Sequence, residues 1–533
     1  MTADATSDPQ RGNYLERHAR SMPNALALCE GERQLSWAAW DAQANRLAAA
    51  LAARGIGEGD RVAVRMMNRL EWFVVEAALG KLGALRVAVS YRLRPAEVRY
   101  MLEHSAARAL VFDDEAPAAL APAFTNLPTL RLKVGLYPRL VQAETAHEQA
   151  GAQDVEAWGP LLAASSAEPR FTEKAGGSIV YTSGTTGHPK GVRKTAPADE
   201  ESRARLRRIS EDLRRTIPFQ RGDRNLLSAP LNHAAAPASA LGTHMRGGTV
   251  YLERKFDAES ALKVIHEHRI TTSFLVPTML NRIVNLPAAV RARYDVSSMR
   301  AITTGASVCP AELKRQVTAY FGPCLYENYG ATEVGLVTMW TPADLEQRAD
   351  SCGRLLDGVD VRIVDDARNP LPRGQLGEIF VKSPATMASY LGESKSADFT
   401  DDGYFTAGDV GRLDADGYLY ILDRKKDMII AGGVNIYPAE IEAVLRAHPA
   451  VLDAAVFGAP DPEWGEQVVA VVERVPGARL AQTELDAFVV EQLAGYKRPR
   501  ALTFVNELPR NAAGKVLKHE LRAAHWAGTG RSI

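Results

Sequence analysis

Residues 181–191 read Tyr181-Thr182-Ser183-Gly184-Thr185-Thr186-Gly187-His188-Pro189-Lys190-Gly191. A short apolar run, Ile179-Val180-Tyr181, leads into a loop that carries glycines, hydroxyls and one lysine. Such a loop suits a polyphosphate. Glycines let the backbone come close and turn several N–H groups toward it, while Ser183, Thr185 and Thr186 add donors and Lys190 adds charge. The string is not Walker A, because Pro189 precedes the lysine and Gly191 follows it, where that pattern needs glycine before and a hydroxyl after. An ordinary P-loop ATPase or kinase is therefore disfavoured.

On either side of this loop, short β-branched runs alternate with longer helical patterns, which predicts α/β architecture. Strands are expected at Arg61–Val64, Ser178–Thr182, Asn225–Ala229, Thr249–Leu252, Thr272–Val276 and Met299–Thr303. Helices are expected at Ser36–Arg54, where Trp37, Trp40, Ala44, Leu47 and Leu51 recur at three- and four-residue spacing, and at Glu259–His268 and Ala311–Tyr320. From about residue 360 the texture changes to short strands with tight turns (Val361–Val364, Glu378–Lys382, Tyr418–Leu422), which reads as an antiparallel, barrel-like subdomain over 360–424. After Lys425-Lys426-Asp427 the pattern restarts. A helix from Pro438, a strand at Gln467–Glu473, a helix near Thr483–Leu493 and a strand at Leu502–Val505 predict a small α+β unit. The expected division is a large N-terminal domain, 1–424, and a mobile C-terminal domain, 425–533, fraying from about Ala523.

Length and composition agree. At roughly 100–200 residues per domain, 533 residues predict several compact units. Lys+Arg and Asp+Glu are 64 each, so no net field attracts nucleic acid or an acidic membrane, and an anionic ligand needs a local site. Arginines crowd between Glu200 and Pro218 but alternate with acids, which reads as a solvated helix laced with ion pairs. Cys29, Cys309, Cys324 and Cys352 are too scattered for a zinc site or a disulfide framework, so buried, reduced thiols are expected. With no signal-peptide pattern, spanning segment or prenylation cysteine, the expected location is cytoplasmic.

The loop at 181–191 resembles the signature of the adenylate-forming superfamily, which comprises acyl-CoA synthetases, peptide-synthetase adenylation domains and luciferases. Further blocks follow in the family's order. Tyr326-Glu-Asn-Tyr-Gly-Ala-Thr-Glu333 is similar to the adenine-site motif. Gly377-Glu-Ile with Tyr390-Leu-Gly, then Tyr404-Phe-Thr-Ala-Gly-Asp409, match the next block and the ribose motif. Asp423-Arg-Lys-Lys-Asp427 resembles the hinge, Gly432-Gly-Val-Asn-Ile-Tyr-Pro the loop after it, and Pro509-Arg-Asn-Ala-Ala-Gly-Lys515 the C-terminal lysine motif.

The resemblance implies roles. Ser183, Gly184, Thr185, Thr186, Gly187 and Lys190 would cradle phosphates, and Tyr329, with Gly330, would stack on adenine. Thr332 would bond the α-phosphate, Glu333 would hold Mg²⁺, and Asp409 with Arg424 would hold the ribose. Lys515 would reach the α-phosphate and the substrate carboxylate, making Lys515, His233, Thr186 and Glu333 the catalytic set. His233, Gly305, Ala306 and Gly330 would border the acyl pocket, Gly432 and Gly433 a CoA channel, and Lys426 would be the hinge. The implied reaction joins a carboxylic acid to coenzyme A through acyl-AMP, with ATP and Mg²⁺. The block Asn232-His-Ala-Ala-Ala-Pro-Ala-Ser-Ala240 has no acid to pair an ammonium, which disfavours a free amino acid and favours a bulky or apolar one: fatty, cyclic, aromatic or polycyclic. Two other readings stay open: transfer of acyl-AMP to a carrier protein or other partner, and a silent nucleotide-binding protein. A homodimer is compatible with all of them.

Overall fold

The computed structural model describes residues 13–113, 120–136, 155–170, 176–182, 189–194, 199–387, 389–393, 396, 398–432, 434–511 and 514–526. The expected helix at 36–54 shows how the first layers form. Ser36 accepts a hydrogen bond from the Ala39 N–H at 3.2 Å and starts the helix Trp37–Ala53. Its apolar stripe, Trp37, Trp40, Ala44, Leu47 and Leu51, is fully buried. The Trp40 indole N–H donates to the Phe73 carbonyl at 3.0 Å, so this ring is buried with its polar group satisfied.

Among the described residues the strands form four sheets. One runs in the order Val155–Ala157, Leu132–Gly135, Ala109–Phe112, Arg61–Arg65, Leu85–Ala88, Gly177–Thr182, Lys190–Lys194. Every pairing in it is parallel except the last. Ala109–Phe112 is buried on both faces, the usual state of a parallel strand covered by helices. The final antiparallel pair is the hairpin that carries the glycine-rich loop. Residues 183–188, and with them Ser183, Gly184, Thr185, Thr186 and Gly187, lie outside the described residues, as does Gly433.

The second sheet has a parallel centre built from Leu325–Ala331, Ala301–Thr304, Thr272–Phe274, Arg224–Leu227, Thr249–Leu252 and Leu26–Glu30. Gly335–Trp340 and Arg354–Leu355 extend one edge antiparallel, and Arg33–Ser36 extends the other. The three strands expected after residue 360 are joined by a further one, Phe405–Leu413, in a four-stranded antiparallel meander of Asp360–Val364, Gly377–Lys382, Phe405–Leu413 and Leu419–Arg424. All four cysteines are buried and unpaired. The arginine-rich segment is the helix Glu200–Thr216, with Arg203 and Arg207 paired to Glu200 at 3.0 and 2.6 Å and Arg205 to Asp360 at 2.6 Å.

The last unit holds two departures from expectation. An eleven-residue strand, Val451–Asp461, pairs antiparallel with Gly465–Arg474 along its length. Its three alanines, glycine, proline and aspartates are poor strand formers, and the pairing with Gly465–Arg474 outweighs propensity. The expected fraying from Ala523 is corrected as far as Trp526. The helix Lys518–Trp526 continues to that residue, whose ring is 8% exposed and whose indole N–H donates to the Gly458 carbonyl at 2.9 Å.

This unit also anchors the lysine motif. Arg510 reaches Asp453 at 2.7 Å and Glu473 at 2.9 Å, and both carboxylates are buried. Burial alone would raise the Asp453 pKa, but Arg446 and Arg510 hold it below the usual carboxylate range. Removing the guanidinium leaves the buried Glu473 without its cation, while Asp453 keeps Arg446 at 3.1 Å, a change that costs about 3–5 kcal/mol. Arg510→Met is therefore expected to lower the opening free energy of the Val451–Asp461 strand by that amount, read by native-state hydrogen exchange; unchanged protection would show that Arg510 carries no such load.

Candidate functional site

One cleft of about 2960 Å³ is lined by Lys190, His233, Ala306, Tyr329, Gly330, Thr332, Glu333, Asp409, Arg424, Lys426 and Lys515. Strand geometry explains how residues so far apart in sequence meet. Tyr329 and Gly330 end the strand Leu325–Ala331, and the register shifts between them, a bulge that re-aims the tyrosine. A Cβ on Gly330 would lie 2.2 Å from the Gly335 carbonyl oxygen, so only glycine allows this close approach of the two strands. Thr332 and Glu333 sit in the turn that follows. Asp409 and Arg424 are cross-strand partners in the meander, which puts Arg424 Nε 3.4 Å from the Asp409 carboxylate. The Tyr329 hydroxyl donates to the same carboxylate at 2.7 Å. Burial, then the charge of Asp409, push the Tyr329 pKa well above its ordinary value, so it stays a neutral donor.

The phosphate-loop side is tied to this group through Tyr390. Its hydroxyl donates to Glu333 Oε1 at 3.4 Å, its backbone bridges to Val192, and its ring lies 4.6 Å from the Lys190 ammonium. Lys190 forms a half-exposed ion pair with Glu393 at 3.1 Å. In the sequence Tyr390 is one residue of the Tyr390-Leu-Gly string, and a tyrosine in a loop carries no signal of such a contact.

Lys515 enters from the C-terminal unit. Its N–H donates to Asn511 Oδ1 at 3.0 Å, and Asn511 N–H donates back to the Lys515 carbonyl at 2.9 Å, closing the turn. Two contacts hold the turn against the large unit. Arg92 Nη1 donates to the Asn511 carbonyl at 3.3 Å, and Gly514, at φ +78°, packs so tightly that a Cβ would lie 2.7 Å from Thr278 Oγ1. Burial, then Arg424, lower the Lys515 pKa to about 8, with Asp427 and Asp409 opposing the shift. Arg92 and Arg510 were missed as positioning residues, because an arginine's partner across two units has no sequence signature.

His233 lines the cleft, and among the described residues its buried Nε2 has no hydrogen-bond partner, unlike a satisfied core histidine. Burial, then Arg92, bring its pKa down to about 4, and the ring is neutral at ordinary pH. Two glycines stand elsewhere. Gly305 lies one residue behind the wall, packed on Asn328 so closely that a Cβ would meet its carbonyl at 2.7 Å, and the exposed neighbour Ala306 reaches the cleft instead. Gly432, at φ +58°, packs beside the Trp464 ring and does not line the cleft in this arrangement.

Comparison with known proteins follows the same outline. The AMP-binding enzyme family model matches residues 15–391, and that of the AMP-binding enzyme C-terminal domain matches residues 440–515. A feruloyl-CoA synthase from Amycolatopsis sp is 34% identical over 514 residues, spanning 96% of this chain and 98% of the relative. The fatty acid–[acyl-carrier-protein] ligase ScoC of Streptomyces coeruleorubidus is 34% identical over 523 residues, 97% of this chain and 96% of the relative. The crystal structure of the anthranilate CoA ligase AuaEII with anthranoyl-AMP superposes with a TM-score of 0.84 at 26% identity, covering 96% of each chain. With both parts of the family matched in order along one chain, the protein belongs to the AMP-binding enzyme family, the adenylate-forming enzymes, and is an AMP-forming ligase of the acyl-CoA synthetase kind.

Proposed function

We propose that the chain activates a bulky or apolar carboxylic acid with ATP and passes the acyl group to coenzyme A. The carrying observation is the ammonium of Lys515, delivered from the C-terminal unit into the cleft that holds Tyr329, Asp409 and Arg424. In the first step a carboxylate oxygen bonds to the α-phosphorus and pyrophosphate leaves with the electron pair. Two anions meet there, and Lys515 supplies positive charge where negative charge grows. In the second step a thiolate sulfur bonds to the acyl carbon and AMP departs.

The nucleotide roles follow from chemistry. Tyr329 offers a flat face to adenine. Asp409 keeps acceptor capacity for ribose hydroxyls beyond its bond from Tyr329. Exposed pairs such as Lys190–Glu393 contribute about 0.2–1 kcal/mol, so phosphate oxygens can claim the lysine at small cost. Among the described residues no three His, Cys, Asp or Glu side chains converge on a metal site. Glu333, buried and facing the cleft, fits a Mg²⁺ completed by phosphate oxygens, the usual manner of this cation. Bound there, the ion would neutralise phosphate charge during transfer. Residues 183–188 complete the phosphate cradle in this reading.

His233 borders the carboxylate end of the acyl pocket as a neutral group. Beyond it the helix Ala235–Met245 turns Ala235, Ala238, Ser239 and Gly242 toward the cleft at helical spacing, and these small side chains leave width for a bulky acid. Coenzyme A is the favoured acceptor, in keeping with the feruloyl-CoA synthase relative matched along nearly the whole chain. The ScoC relative keeps carrier-protein transfer as the second reading. With Gly432 off the cleft, the thioester step calls for rotation of the unit after residue 424, with Lys426 as the hinge. We place the enzyme in the cytoplasm; among the described residues no helix is long and apolar enough to cross a membrane.

Three measurements test this reading. Lys515→Ala is expected to lose about 10²–10³-fold in acyl-AMP formation, followed as pyrophosphate release, and to retain thioester formation from supplied acyl-AMP; equal loss in both halves would remove the role. Because Lys515 has its pKa near 8 in the free enzyme, kcat/KM for ATP in the first step should fall as pH rises through about 8. Lys515→Arg should move that alkaline limb upward, and a limb that stays put belongs to another group. Lys426→Pro fixes φ at the hinge and should slow thioesterification more than adenylation in single-turnover kinetics, whereas equal slowing speaks against rotation there.

A further inference from the structure

Among the arginines of the cleft that have no place in the chemistry above are Arg214 and Arg246. Arg214 lies in the last turn of the helix Glu200–Thr216, and Arg246 follows the helix Ala235–Met245; both line the cleft. Arg203, Arg205 and Arg207, on the first of these helices, are ion-paired. Arg214 only donates to the Ser210 carbonyl at 3.2 Å, and no carboxylate of a described residue lies within 4.0 Å of Arg214 or Arg246.

Arg246 is the more confined. Its guanidinium carbon stands 4.3 Å from the centre of the Phe219 ring. Its two terminal nitrogens lie 3.5 and 3.7 Å from where a Cβ of Gly242 would be, so the group folds back over the cleft-facing side of the helix. Its buried Nε has no acceptor. The nearby acid, Asp223, is committed elsewhere: it accepts from Thr271 at 2.9 Å and from the Gln220 N–H at 2.7 Å, and it pairs with Arg300. A guanidinium that has lost part of its water without gaining a carboxylate is a costly arrangement, and its planar fork matches a carboxylate in two-point contact.

Its place along the wall gives the ligand's length. Gly242 lies about 10 Å beyond Ala235 at the rise of an α-helix, and Ala235 is two residues from His233. Leu213, Phe219 and Ala238 line the same cleft, so it offers apolar and small surface to the body of a ligand. We propose that Arg246, with Arg214 adding charge to the same cavity, forms a second anion subsite that selects acids bearing another carboxylate at the far end of an apolar body. This rests on the ligase reading and narrows it from apolar acids in general to dicarboxylic ones.

The test compares decanoate with decanedioate, a matched pair that differs only at the far end, by pyrophosphate release with MgATP. The wild-type enzyme is expected to favour the diacid in kcat/KM. In Arg246→Met the diacid-to-monoacid ratio should fall at least about tenfold, chiefly through KM, and Arg246→Lys should give an intermediate ratio. As a check independent of turnover and of any variant, decanedioate should raise the thermal midpoint of the wild-type protein more than decanoate does, with a difference that shrinks at high salt. A ratio unchanged by Arg246→Met, a wild-type preference for decanoate, or equal thermal shifts would overturn the subsite and leave the ligase standing. No pyrophosphate from any fatty, aromatic or dicarboxylic acid would overturn the ligase reading itself.

Discussion

The arrangement depends on holding one ammonium group, that of Lys515, in a cleft built by another part of the chain. Electrostatics there are finely set. Desolvation and the neighbouring Arg424 disfavour the charge, and Asp409 and Asp427 favour it, which leaves the pKa near 8. In the proposed reaction a polyphosphate tips the balance, since its negative charge would restore full protonation and draw the C-terminal unit closed. The same linkage makes closure dependent on nucleotide, because a ligand that binds only the closed state shifts the population toward it. The lysine reaches the site because its turn is clamped on both sides, by Arg510 within its own unit and by Arg92 and the Gly514–Thr278 contact from the large one.

A second buried charge system keeps the opposite wall rigid. Glu327 and Tyr329 are two residues apart on one strand and so share a face. On that face Lys314 pairs with Glu327 at 2.6 Å, donates to the carbonyls of Ala349 and Ser351 at 2.7 and 2.8 Å, and lies 4.4 Å from the Trp340 ring. Burying two ions costs solvation, which close pairing and extra acceptors offset only when the geometry is fixed. The tyrosine proposed to meet adenine thus rests on a wall that gains nothing from relaxing.

The two proposed half-reactions make opposite demands on the C-terminal unit. With Lys515 in the cleft, Gly432 is turned away and packed beside Trp464. One rigid placement does not offer both the lysine and the glycine loop to the same carbon, and in the proposed cycle the segment around Lys426 would absorb the backbone change between steps. The half-exposed ion pair in the site, Lys190–Glu393, suits such a cycle because it is cheap to exchange.

Sequence alone determined the family, the order of the layers and most of the cleft's chemical inventory. Those properties live in short strings: glycine and hydroxyl spacing around 181–191, the Tyr329–Glu333 run and helical stripes such as Trp37 to Leu51, each legible without knowing what lies opposite. The tertiary structure decided what depends on a partner distant in sequence. It put Ala306 rather than Gly305 on the cleft wall, paired Val451–Asp461 despite weak propensity, fastened Trp526, and left Arg246 without a carboxylate. The physical reason is that burial, desolvation and ion pairing are properties of a residue's surroundings, and those surroundings are assembled only when the chain closes on itself.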